Sequence, residues 1–182
     1  YLPDDSDEFE NYLDDMRWCQ KFAFYQRETM MNLLVGIVKQ EFSHLQVDPF
    51  INCHHNYTEE LESGMWLTRK GAINAEKGKL GIIPGSMGAA TYIVKGLGNE
   101  ESYNTSPHGA GRLFGRNQAK KTFSVDEFKR QMEGKFWQDR NAQQLLDEAP
   151  NAYKPIETVI NDSSDLVEAV TILSQFINYK GF

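Results

Sequence analysis

Cysteine is scarce in this 182-residue chain, and the scarcity narrows the field at once. Two cysteines, Cys19 and Cys53, cannot frame a disulfide scaffold for a protein of this size, so a reducing, cytoplasmic setting is expected. No apolar run approaches the roughly 20 residues that span a bilayer, so no helical membrane segment is expected. No charged-then-apolar leader opens the sequence, and there is no initiator Met. The start at "YLPDDSDEFE" reads as an excerpt or a processed product. Neither G-x-x-x-x-G-K-[ST] nor G-x-G-x-x-G occurs, which removes the two commonest phosphate-loop signatures. Histidine is also rare: His44 reads as surface, leaving His54, His55 and His108, so a complete metal site within this chain is doubtful.

What is present fits one domain with a sizeable core: apolar residues make up 40% and aromatics 12%. The net charge of -7 hides an uneven distribution. Residues 1–63 carry 4 Lys/Arg against 13 Asp/Glu, residues 64–125 carry 9 against 3, and residues 126–182 carry 6 against 10. A basic middle between acidic ends can recruit a phosphate-bearing partner even in an acidic protein.

From about Asp7 to Phe42, apolar residues recur at three- and four-residue spacing, with Ser6 as an N-cap. This predicts a long helix, or two in succession, whose apolar face packs. The period then changes. "FINC" at 50–53, "MWLT" at 65–68, "LGIIP" at 80–84 and "ATYIVKG" at 90–96 read as strands, with Cys53 as a buried strand cysteine rather than a ligand. Ser124 and Glu127 form a capping box, and helical patterns follow at about 125–134, 139–148, 155–161 and 164–177. Helix, then strands, then helices predicts an α+β fold.

Ten of the fourteen glycines fall between residues 71 and 115. "IIPGSMGAATY" reads as strand, turn and strand, its turn N–H groups forming an anion nest with Ser86 and Thr91 as added hydroxyls. His54 and His55, adjacent at a strand end, are expected to point to opposite faces. His108 stands out. Pro107 fixes its approach, Gly109, Ala110 and Gly111 leave the imidazole unobstructed, and Arg112 and Arg116 suit phosphate recognition. Imidazole can attack phosphorus near neutral pH without prior deprotonation, so this loop suggests phosphoryl or nucleotidyl transfer.

"NCHHNY", "LTRKGAI", "IIPGSMGAATYIVKG", "SPHGAGR", "NAYKPIE" and the terminal "YKG" together resemble, in order, the RtcB family of RNA-splicing ligases, closest to its bacterial type. The resemblance covers nearly the whole chain. It implies an RtcB-like α+β fold, of which residues 1–182 are the C-terminal portion of a single catalytic domain. It also implies joining of RNA 3′-phosphate or 2′,3′-cyclic phosphate ends to 5′-hydroxyl ends, with GTP and manganese, through a histidine–GMP intermediate. Carried over by motif, His108 would be the guanylylated nucleophile and His55 a manganese ligand. Gly109, Ala110, Gly111 and Arg112 would line the nucleotide, with Ser86 and Thr91 near the guanosine. Tyr153 would stack on or border the base, and Lys180 would read guanine. Arg69, Lys70 and Arg116 would meet phosphate. The remaining metal ligands lie in an N-terminal part that this chain lacks, so the piece alone is expected to be inactive. An accessory activating protein is a further possible partner. Gln26 stands where the family usually has Asn, Gly115 where many members have Ser, and Thr68 where archaeal and eukaryotic members have His. Two other readings fit the residues: a non-catalytic guanosine-nucleotide or RNA-binding module, and a metal-dependent phosphohydrolase using the His pair.

Overall fold

Spacing in the first forty residues dictates one helix. The computed structural model, which describes residues 2–48 and 50–180, contains it as α1, Asp7–Glu41. Ser6 caps it: the Oγ accepts from the Phe9 N–H at 3.2 Å, while Asp7, Glu8 and Glu10 set negative charge at the positive end of the helix dipole. Among the described residues no helix is long and apolar enough to cross a membrane. Helices and small sheets mix along the chain, as an α+β protein requires, and it divides into two compact units, residues 1–73 and 74–182.

In the first unit, α1 is followed by an antiparallel hairpin of β1 (Asn56–Glu60) and β2 (Trp66–Lys70). Thr58 faces Thr68 across it, hydroxyl to hydroxyl at 2.8 Å. Phe9 meets Trp66 edge-on at 5.3 Å, and Leu13 is fully buried. The packing face expected of the whole helix is realised only in part, continuing through half-buried Met16, Ala23 and Phe24. Farther along, Trp18, Phe22, Leu33, Leu34 and Ile37 are all exposed in this chain. The strand expected at 50–53 does not form, and Cys53 is half-buried outside any strand. Its neighbour Asn52 is instead tied to α1: the carboxamide oxygen accepts from Arg27 Nε at 2.7 Å and the amide donates to the Phe24 carbonyl at 3.1 Å. Those bonds replace a ladder.

β3 (Ala72–Asn74) leads into the second unit. There follow β4 (Leu80–Pro84), β5 (Thr91–Gly96), β6 (Thr105–Pro107), α2 (Arg116–Thr122) and α3 (Val125–Gln131). β7 (Phe136–Trp137), α4 (Ile156–Asp162), β8 (Val167–Leu173) and β9 (Ile177–Asn178) complete it. β4, β5 and β8 form an antiparallel sheet in that order, with Ile82 opposite Ile93, Tyr92 opposite Ile172, and a bulge between Ile93 and Val94. The capping box at α3 is present, Ser124 Oγ accepting from the Glu127 N–H at 3.2 Å. One turn on, Phe128 and Met132 are buried with Leu145, Leu146 and Ala149, and Trp137 packs its ring 4.7 Å from that of Phe128.

Two helical expectations fail here. Residues 139–148 form two short 3-10 turns, Asp139–Asn141 and Leu146–Glu148, rather than a helix. Pro150 takes Ala149 out of the helical region (ψ 136) and so fixes where the segment stops, while Ala142, Leu145, Leu146 and Ala149 are buried in the Phe128 cluster from the two turns. Residues 164–177 become β8 and its sequel. Val167, Val170, Thr171 and Ile172 are β-branched, and pairing with β5 outweighs a helical spacing that short apolar runs also permit.

Candidate functional site

Four stretches far apart in sequence line one cavity of about 590 Å³ in the second unit: residues 84–87, 108–112, Glu148 with Tyr153, and 175–180. Its position follows from how the glycine-rich segments are fastened. The turn after β4 is closed by Gly85 N–H to the Ala90 carbonyl at 2.9 Å. Within it the Gly88 N–H donates to Ser86 Oγ and the Ala89 N–H to the Ser86 carbonyl. Three of its amides are therefore spent inside the turn, so the anion nest expected there is largely self-satisfied. Ser86 lines the cavity, whereas Thr91 sits behind it. Thr91 Oγ1 accepts from the Gln175 amide at 3.1 Å, and Gln175 Oε1 accepts from Asn178 at 2.6 Å. Gln175, inside the segment predicted helical, and Asn178, just beyond it, are cavity residues that the sequence reading missed.

His108 follows β6 directly and lines the cavity. Its loop is pinned on both sides: the Ala110 N–H donates to the Pro84 carbonyl at 2.9 Å, and the Gly111 carbonyl accepts from the Lys154 N–H at 3.0 Å. Gly111 adopts φ +72, a left-handed conformation that favours glycine, and a Cβ on Gly109 would stand 3.2 Å from the Pro84 oxygen. Small residues are needed here to let the loop lie against its neighbours.

Arg112 behaves differently from the open phosphate fork expected. Its Nη1 donates to the Asp147 carbonyl at 2.6 Å, and Nη2 donates to Glu148 Oε1 and to the Tyr153 hydroxyl, each at 2.7 Å. The guanidinium also lies over the Tyr153 ring, 4.6 Å from its centroid. Arg116 pairs with Asp147 at 3.1 Å and Glu148 at 3.4 Å, and Lys120 with Asp147 at 3.3 Å. At least six of the nine cations between residues 64 and 125 are matched by carboxylates, five of them from the acidic segments on either side and Lys79 by Glu76 within the same stretch.

Glu148, also absent from the sequence reading, is the hub. Besides Arg112 it takes the Tyr153 hydroxyl at 2.7 Å and the Lys180 ammonium at 3.2 Å, both on Oε2. Burial alone would raise its pKa, but the Tyr153 hydrogen bond and the charges of Lys180 and Arg112 outweigh it and hold the carboxyl below its ordinary range. Asp147 is likewise held low: burial opposes, while Lys120 and Arg116 win. Burial, then the bond to Glu148, pushes the Tyr153 phenol up to about 12. The signal for Glu148 was available, two acids interrupting the apolar run of "LLDEAP" five residues before Tyr153.

The first unit holds a second cavity, of about 230 Å³. Both His54 and His55 line it, with Cys19 and Arg27. They share a site, contrary to the opposite-faces expectation, because residues 51–54 are not a strand. The His54 imidazole is held below its usual pKa, first by burial and then by Arg27 and His55. Among the described residues no three His, Cys, Asp or Glu side chains come together to hold a metal ion, so these residues do not make a manganese site by themselves. In the same unit Arg69 is buried, ion-paired with Glu59 and hydrogen-bonded to Tyr57 Oη at 3.0 Å, whereas Lys70 is exposed.

Against known proteins, the family described as tRNA-splicing ligase RtcB matches residues 1–181. The chain is 42% identical to an RNA-splicing ligase RtcB1 and 40% identical to an RNA-splicing ligase RtcB, both from Escherichia coli strains. Each match covers all of this chain and 46% of the relative. A tRNA-splicing ligase RtcB from Nanoarchaeum equitans is 30% identical over 91% of this chain and 41% of its own length. The chain thus spans about half the length of these curated relatives.

Proposed function

Because the chain belongs to the RtcB family of RNA-splicing ligases, we propose that it carries the nucleotide-transfer site of a GTP-dependent enzyme joining RNA 3′-phosphate or 2′,3′-cyclic phosphate ends to 5′-hydroxyl ends. One observation supports this above the others: His108, Ser86, Tyr153 and Lys180, spread over 95 positions, line one cavity of about 590 Å³, within the usual range for a small-ligand site. In the proposed reaction an imidazole nitrogen of neutral His108 attacks the α-phosphorus of GTP. A nitrogen–phosphorus bond forms, the bond to the β-phosphate oxygen breaks, and pyrophosphate leaves. The GMP then passes to the RNA 3′-phosphate, and the 5′-hydroxyl displaces it, closing the phosphodiester. Tyr153 would border the base on the ring face not covered by Arg112. Lys180 would donate to a purine carbonyl, and the pinned 109–112 loop would hold His108 in place. Manganese belongs to this proposal through the family, with His55 as one ligand. Its other ligands would come from outside these residues, and no step above is routed through it.

The test is ligation of a 3′-phosphate RNA to a 5′-hydroxyl RNA by the intact gene product, with and without GTP. Joining that needs no GTP would refute the nucleotide-transfer role. A second reading, a nucleotide-binding module without chemistry, rests on one observation: every residue lining the cavity belongs to the second unit. GTP binding without joining by the intact protein would support it.

A further inference from the structure

Glu148 puts a negative charge on the wall of a cavity proposed to receive a polyanion. Facing phosphate, an isolated carboxylate would be repulsive; its presence needs another reason. We propose that Glu148 is the positioning residue of this cavity, holding Arg112 with one carboxylate oxygen and Tyr153 and Lys180 with the other. The phenol ring and the lysine ammonium are thereby presented together to the bound base. This rests on the guanosine-nucleotide reading above.

The geometry divides the work between the two oxygens. Oε1 takes Arg112 at 2.7 Å and, more weakly, Arg116 at 3.4 Å, whereas Oε2 takes the Tyr153 hydroxyl at 2.7 Å and Lys180 at 3.2 Å. The side chain of Glu148 is 13% exposed, against 40% for Lys180 and 69% for Arg116, so the carboxylate is the fixed point and the cations are the adjustable parts. It is fixed because it ends the 3-10 turn Leu146–Glu148, whose Leu146 is buried in the core beside Phe128 and Met132. Lysine is a point charge on a flexible four-carbon stem, and without a partner its Nζ has no reason to stay at the cavity wall. Arg112 and Lys180 would also repel each other across the site if the shared carboxylate were lost. Glu148 therefore does for Lys180 what the turn does for Glu148. The elevated Tyr153 pKa is consistent with this arrangement: burial raises it first, and the hydroxyl proton held on Oε2 raises it further.

Glu148→Gln tests the idea, because it keeps the size but removes the charge and aims an amide donor at donors. In the intact protein, with folding checked by circular dichroism, GTP affinity measured calorimetrically should fall about tenfold or more, as expected for losing a charge-assisted hydrogen bond. Tyr153 should titrate lower than in the wild type, burial still holding it above its ordinary value, read by ultraviolet difference against Tyr153→Phe. Glu148→Asp should restore part of both. Lys180→Met should weaken GTP binding by a similar factor, and adding it to Glu148→Gln should cost little more, because the two act as one unit. Unchanged GTP affinity in a folded Glu148→Gln protein overturns the proposal, even if Tyr153 titrates lower, because the network would then be structural only. Additive losses in the double variant overturn it as well. A wild-type protein that forms no GMP adduct, yet shows these binding and titration shifts, would sink the ligase reading and support the clamp.

Discussion

Arg112→Lys keeps the charge and should nonetheless be damaging. The guanidinium makes three hydrogen bonds, to the Asp147 carbonyl, Glu148 Oε1 and the Tyr153 hydroxyl, and stacks on the Tyr153 ring at 4.6 Å. A lysine Nζ reaching the same place has tetrahedral rather than forked donors and can replace one of these contacts well, not all three. Two lost bonds at about 1.5–3 kcal/mol each set a ceiling of roughly 6 kcal/mol. The Arg112 side chain is 22% exposed, so water compensates part of this, and the expected loss is about 2–4 kcal/mol. Arg112 also bridges to Tyr153, and its neighbour Gly111 binds Lys154, so the loop carrying His108 should loosen. Urea unfolding followed by circular dichroism reads the stability, and the rate of protein–GMP formation reads the loop. A change below about 0.5 kcal/mol, the level of an ordinary surface substitution, would refute the reasoning.

The remaining predictions follow from the same contacts. Glu148 and Asp147 have depressed pKa values in the folded protein, so their contribution is present above their ordinary values of 4.5 and 3.8. It is lost as acid takes pH below these, which a pH series of urea midpoints would show. Tyr153 works in the opposite sense. Its raised pKa means stability present below pH 10 is lost as pH climbs toward about 12, and Tyr153→Phe should flatten that limb. Gly96→Ala would place a Cβ 2.3 Å from the carbonyl oxygens of Ala75 and Glu76, so it should cost about 1–3 kcal/mol or block expression. Gly36→Ala, inside α1 with nothing within 4 Å, should stabilise that helix by roughly 0.5–1 kcal/mol, measurable as a rise in melting temperature.

How far the sequence was legible depended on whether a segment's reasons were local. α1, the β4–β5 hairpin and α3 carry their causes in adjacent residues: the Ser6 and Ser124 caps, helical spacing, and glycine at the turn. β8 does not, because its strand state comes from pairing with β5, some 75 residues earlier. Nor does the 3-10 turn at Leu146–Glu148, where Pro150 and the core around Phe128 defeat a respectable helical pattern. The site divides the same way. His108 and its small neighbours announce themselves by composition, and Tyr153 and Lys180 by resemblance, and the cavity brings them together. Gln175 is silent because its role depends on Thr91, 84 positions away, and the acids of "LLDEAP" hint at Glu148 without naming its partners Arg112 and Lys180, each more than thirty positions away. Arg112 and Arg116 were read as open phosphate forks because the acids that engage them lie more than thirty positions away.

The central claim is that His108 is the nucleophile. The most direct measurement is incubation of the intact gene product with GTP labelled at the α-phosphate and Mn²⁺, followed by peptide mapping. An acid-labile GMP adduct on the peptide containing His108, absent in His108→Ala, is the predicted result. A label that persists at wild-type level in His108→Ala, or maps to another residue, would contradict the account.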